Sequence, residues 1–71
     1  MRGMDDLPKP ADGRALAARR RELGVTQKAV AEALGVHRLT LNDWERTERL
    51  DAIRAARYER ALVALVSKAV A

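Results

Sequence analysis

Residues 26–45 read Thr-Gln-Lys-Ala-Val-Ala-Glu-Ala-Leu-Gly-Val-His-Arg-Leu-Thr-Leu-Asn-Asp-Trp-Glu. With Thr26 as cap, a helix starting at Gln27 places Val30, Ala31 and Leu34 on one face and turns Lys28 and Glu32 to solvent. Gly35 ends that helix, because glycine enters the positive-φ region that other residues resist. The chain then reverses and Val36 drops between two helices. A second helix restarts at about His37 or Arg38. It carries Leu41 and Trp44 inward with Thr40 beside them, and Arg38, Leu39, Asn42, Asp43 and Arg46 outward. Positions 38 and 42 are one turn apart, so Arg38 and Asn42 reach along one groove together.

The flanks complete an all-α fold: a small bundle of about four helices containing this hinge, with a long C-terminal helix. Asp12 caps a first helix that runs to about Leu23, with Leu16, Ala17, Arg20 and Leu23 inward, and Gly24 terminates it. Residues 1–11, with the Pro8-x-Pro10 pattern, are expected to form a flexible arm, and residues 12–71 a single domain. Seventy-one residues cannot hold two cores. Downstream, no Gly or Pro interrupts the chain after residue 46, and one helix is expected from about 50 to 70. Its first half, with Ile53, Ala56 and Tyr58, is placed over the hinge. The run Ala61–Val66 is apolar around most of its circumference, which marks a contact surface. A two-fold dimer through Leu62, Leu65, Val66 and Val70 is expected; the competing arrangement folds the helix back onto its own core.

Composition narrows the chemistry. Lys and Arg number 14 against 10 Asp and Glu, a net charge of +4 with a sequence pI of about 10.3, and the excess is mostly arginine, which suits phosphate. Cysteine is absent, so no disulfide and no thiolate metal site exist, in keeping with a reducing cytoplasm. The first twelve residues are charged rather than apolar, unlike a secretory segment, and the longest apolar run is too short to span a bilayer. The single histidine is His37 and the single serine Ser67, with no glycine-rich phosphate loop or carboxylate cluster. No catalysis, cofactor, metal or small-molecule ligand is therefore expected.

The order Gln27-x-x-Val30-Ala31-x-x-Leu34-Gly35-Val36-x-x-x-Thr40-Leu41-x-x-Trp44-Glu45 resembles the Cro/repressor-type (XRE-like) helix-turn-helix family of phage and bacterial regulators, over roughly residues 14–62. The resemblance implies double-stranded DNA as partner and a role in transcription. It puts Arg38, Leu39, Asn42 and Asp43 at base edges: Arg38 on guanine O6 and N7, Asn42 on adenine N6 and N7, Leu39 on a thymine methyl. Asp43 either accepts from cytosine N4 or holds Arg38 or Arg46. Gln27 is expected at a phosphate, helped by the helix dipole. Lys28, His37, Thr40, Arg46 and Arg19 are further phosphate candidates. An Arg20–Glu45 pair is expected to tie the first helix to the end of the recognition helix. Two features depart from the pattern: relatives follow Trp-Glu with glycine where Thr47 stands here, and they add a fifth helix. A sequence-specific repressor binding an inverted repeat as a dimer is the leading expectation. An antitoxin-like module that engages a protein partner through the apolar helix is the alternative.

Overall fold

The computed structural model describes residues 9–70, with side chains to residue 68. Four helices follow in order: α1 Gly13–Glu22, α2 Gln27–Leu34, α3 Arg38–Arg46 and α4 Ala52–Val70. Local chemistry sets each boundary. The Asp12 carboxylate accepts from the Arg14 N–H at 2.9 Å, and Thr26 Oγ1 accepts from the Ala29 N–H at 3.1 Å. Gly24 and Gly35 follow α1 and α2 with φ of 72° and 71°, the left-handed geometry that closes a helix and frees the chain to turn. His37 caps α3, its Nδ1 accepting from the Leu39 N–H at 3.1 Å. The α3–α4 connection turns without glycine because Thr47 is extended. Its hydroxyl donates to the Asp43 carbonyl at 2.7 Å and its N–H to the Trp44 carbonyl at 3.2 Å.

Leu16, Val30, Ala31, Leu41, Trp44, Leu50, Ala55, Tyr58, Ala61 and Leu62 form one buried cluster, with Leu34, Val36 and Leu65 packed against it. α4 lies across α1 and α2, and α3 packs against the same pair. Arg54 and Arg57 of α4 stand over the Trp44 ring at 5.8 and 5.9 Å, and Arg57 also donates to the Leu34 carbonyl at the end of α2.

Several expectations are corrected. Leu23 is 45% exposed, because Gly24 turns the chain away before its side chain can reach the core. Ile53 is 71% exposed and Ala56 only half-buried; the face of α4 that meets the core is carried by Ala55, Tyr58, Ala61 and Leu62. Leu62, expected at a dimer surface, is 2% exposed within its own protomer, and Leu65 and Val66 are half-buried. The helix thus folds back further than the apolar run suggested. The arm also ends sooner: Ala11 pairs with Leu50 through reciprocal backbone hydrogen bonds of 3.0 and 2.8 Å, which clips the entry to α1 onto the entry to α4. The rest of the proposed arm, residues 1–8, and the side chain of Val70 lie outside the described residues.

Arg20 and Glu45 do pair, at 8% and 6% exposure, with Arg20 Nε 2.8 Å from Glu45 Oε2. Tyr58 of α4 donates its hydroxyl to the same oxygen, and Gln27 of α2 donates to Oε1 at 2.8 Å. Burial works against ionising Glu45, but the hydrogen bonds from Arg20, Tyr58 and Gln27 outweigh it and hold the carboxyl below its ordinary value of 4.5.

Three expected outcomes follow. A Cβ at Gly13 would overlap the Trp44 carbonyl oxygen and sit 2.8 Å from the Thr47 carbonyl oxygen, which accepts the Gly13 N–H. Gly13→Ala should therefore cost about 2–3 kcal/mol despite alanine's better helix propensity, read as a fall in thermal midpoint of roughly 10 °C or more. Glu45→Ala strands a buried guanidinium and should cost about 3–5 kcal/mol, whereas Asn42→Ala leaves the melt nearly unchanged. Because the folded carboxyl resists protonation more than the unfolded one, its contribution is whole above about pH 4.5 and is lost as pH falls through the folded value. Denaturation midpoints of Glu45→Gln against pH should show a shallower acid limb than the parent protein.

Candidate nucleic-acid interface

α3 presents its outward face as expected. Arg38, Leu39 and Asp43 are exposed, Leu39 at 65%, and Asn42 is half-buried one turn from Arg38. An aliphatic side chain left this far in water on a helix otherwise anchored by Leu41 and Trp44 gains nothing for folding. Among the described residues Asp43 forms no ion pair with Arg38 or Arg46, so its carboxylate points to solvent rather than bracing either arginine. α4 lies against α1 and α2 and leaves the outer face of α3 uncovered.

Beside that face runs a cleft of about 360 Å³ between α1 and α3, lined by Arg14, Ala17, Arg20, Arg21, Gln27, Asn42, Glu45 and Arg46. Its cationic balance follows from who is already paired. Glu45 neutralises Arg20, and Arg14 leans on Asp12 at 3.0 Å. Arg21 and Arg46 have no carboxylate within ion-pair distance among the described residues, so the rim of the cleft beside the recognition helix is positive. Arg46 was expected in this role, as was at least one of the arginines beside Arg20, with Arg19 named; the one that lines the cleft is Arg21. Arg19, the expected one, instead turns toward α4, where its guanidinium is 3.7 Å from Glu59. Three consecutive arginines on a helix point about 100° apart, so only knowing which of them faces Glu45 tells which neighbour lines the cleft.

Gln27 differs most from expectation. Its side-chain Nε2 donates both to Glu45 Oε1 at 2.8 Å and to Asn42 Oδ1 at 3.3 Å. Both amide hydrogens are spent inside the protein, and a phosphate would have to be met by the backbone N–H groups at the start of α2. Lys28 is exposed next to them. His37 and Thr40 are exposed on α3's first turns. The His37 Nδ1 is occupied as an acceptor, which leaves Nε2 as the nitrogen able to carry a hydrogen toward solvent. Thr40 and Asp43 line the opposite flank of α3 together with Arg49 and Arg54, in a second surface hollow of about 380 Å³. Arg49 and Arg54 were not expected near the interface, because the path of a connection without glycine could not be read from residue types.

A measurement separates the cap from the interface. His37→Asp replaces the ring nitrogen by a carboxylate, a better cap that also favours the helix dipole, and should raise stability by about 0.5–1 kcal/mol in a thermal melt.

The family model described as helix-turn-helix matches residues 16–62, roughly two thirds of the chain. No curated protein and no solved structure matches it. The matched span takes in α1 from Leu16, both helices of the Gly35 hinge and α4 as far as Leu62. With an uncovered second helix beside a cationic cleft, this chain belongs to the Cro/repressor-type (XRE-like) helix-turn-helix family of DNA-binding transcription regulators.

Proposed function

We propose that this protein is a sequence-specific repressor of phage or bacterial type, acting by occupying an operator. The observation that carries the proposal is the exposed face of Arg38, Leu39 and Asp43, with the half-buried Asn42 beside them, on a helix whose other side is locked into the core. α3 enters the major groove, Arg38 takes guanine, Asn42 adenine and Leu39 a thymine methyl. Arg21 and Arg46 on one flank, with Lys28 and the α2 N-terminus, meet the phosphates. Arg49 serves the opposite flank, where Arg54 is paired with Asp51 at 3.0 Å.

One such helix reads only a few base pairs, so an inverted repeat bound by two copies suits the function. The surface for the second copy shifts from the expected one, since Leu62 is spent in the core. Val63, 60% exposed, lies with Val66 and the exposed Leu23 along a groove between α1 and α4, and this is the pairing face proposed here.

Selection from random duplexes with the purified protein should enrich a palindrome. Arg38→Ala should cut discrimination at its base pair about ten- to hundredfold. Arg21→Ala and Arg46→Ala should weaken binding to all sequences and each lower the salt slope by about one. Val63→Glu should leave the fold intact and shift sedimentation toward monomer. If changes at Arg38 and Asn42 are silent while the Val63 change abolishes function, a protein partner is the target instead.

A further inference from the structure

We infer that the exposed face of α4 carrying Ile53, Arg57, Arg60 and Ala64 is the docking site of this chain's own Met4-Asp5-Asp6-Leu7, with the two aspartates on the two arginines. This face shares no residue with the one that α3 turns to the bases.

Positions 53, 57, 60 and 64 fall within about 60° of one another around the helix and form a single stripe along it. All four are exposed, Ile53 at 71%, where an aliphatic side chain gains nothing from water. Between the apolar ends of the stripe stand two cations with no carboxylate within ion-pair distance among the described residues. The acids nearest along the helix are already engaged: Asp51 holds Arg54 at 3.0 Å, and Glu59 is 3.7 Å from Arg19 on the α1 side. Arg57 turns Nη2 to the Leu34 carbonyl at 3.1 Å and keeps its remaining N–H groups for an outside acceptor. Beyond the arginines the stripe opens into a hollow of about 280 Å³ against the end of α2, walled by Ala33, Leu34, Arg57, Arg60, Ala61 and Ala64. An occupant must therefore be apolar, then twice acidic, then apolar again.

The chain carries that order itself. Ala11 and Leu50 pair in the antiparallel sense, so the backbone running back from Ala11 leaves beside the backbone running forward from Leu50, toward α4. Pro8 and Pro10 favour extended backbone in the residues before them. At about 3.3 Å per extended residue, Leu7 to Met4 reach up to about 13–23 Å from Ala11. At about 1.5 Å per helical residue, Ile53 to Ala64 lie roughly 5–21 Å beyond Leu50. The two spans match, and so does the sequence of chemistries read away from the bridge: Leu7 covers Ile53, Asp6 and Asp5 meet Arg57 and Arg60, and Met4 fills the hollow with an unbranched, adaptable side chain. A tether this short gives its own segment an effective concentration of order millimolar, which decides for it over a separate acidic partner.

The test uses the full chain, which has no cysteine, so Gly3→Cys provides a single site for a nitroxide label. In isotope-labelled protein, paramagnetic broadening of amide signals should be strongest at Leu34, Arg60, Ala61 and Ala64. Arg60→Glu, at an exposed position, should disperse that pattern, and adding Asp5→Arg should restore it. Melting temperatures give an independent reading. Ile53→Ser, nearly neutral in helix propensity, and Leu7→Ser should each lower the midpoint by roughly 2–4 °C, and the two together by no more than either alone. Broadening that is spread evenly or centred on another element overturns the inference. So do failure of the reversed pair to restore the pattern and additive losses at positions 7 and 53. Broadening that arises only between mixed labelled and isotope-labelled copies overturns it in favour of a second molecule as the occupant.

Discussion

Every helix of this small domain meets at one carboxylate. Glu45 belongs to α3, and its donors come from α1 as Arg20, from α2 as Gln27 and from α4 as Tyr58. Burying an ion pair is a poor way to gain net stability, because desolvation offsets much of the attraction. Its effect here is directional. Apolar contacts through Leu41 and Trp44 tolerate small rotations of α3 about its own axis, whereas four hydrogen bonds converging on two oxygens do not. A helix that must present particular atoms to base edges needs its azimuth set as well as its position. Tyr58 belongs to the same constraint: burial, reinforced by Glu45, pushes its phenol above its ordinary value and so favours the protonated form that donates to the carboxylate.

The elements of the fold were legible because each is announced by a residue whose chemistry is local. Asp12, Thr26, Gly24 and Gly35 act within a turn of their own position, and all four stand where the sequence placed them. The ion pair between residues 20 and 45 was also legible, through family resemblance rather than through spacing. What could not be read depends on distant backbone. Gly13 looks like an ordinary weak helix former, and its purpose emerges only when the Trp44 and Thr47 carbonyls arrive beside it. The phase of α4 was misjudged at Ile53, which lies about 140° around the helix from Tyr58 and so away from the face that Ala55, Tyr58, Ala61 and Leu62 turn to the core.

At the candidate interface the same division holds. The outward residues of α3 follow from the 3.6-residue period alone. The inward commitment of Gln27 does not, since nothing in its neighbours along the chain reveals that Glu45 and Asn42 lie within reach. Likewise Arg19 and Arg21 are equivalent on paper. The partner at Glu59 for one, and the cleft beside Arg46 for the other, come from the docking of α1 against α4 and α3.

The solvent-facing residues of α3 differ in how deeply they are wired to the rest. Arg38, Leu39 and Asp43 have side chains that stand clear of the core, while Asn42 is bonded to a chain of groups that ends at the centre of the domain. Retargeting such a scaffold to new operators is therefore uneven work. Libraries randomised at 38, 39 and 43 sample new preferences at almost no folding cost, but position 42 has to be varied jointly with 27, as a two-letter word rather than as a single letter.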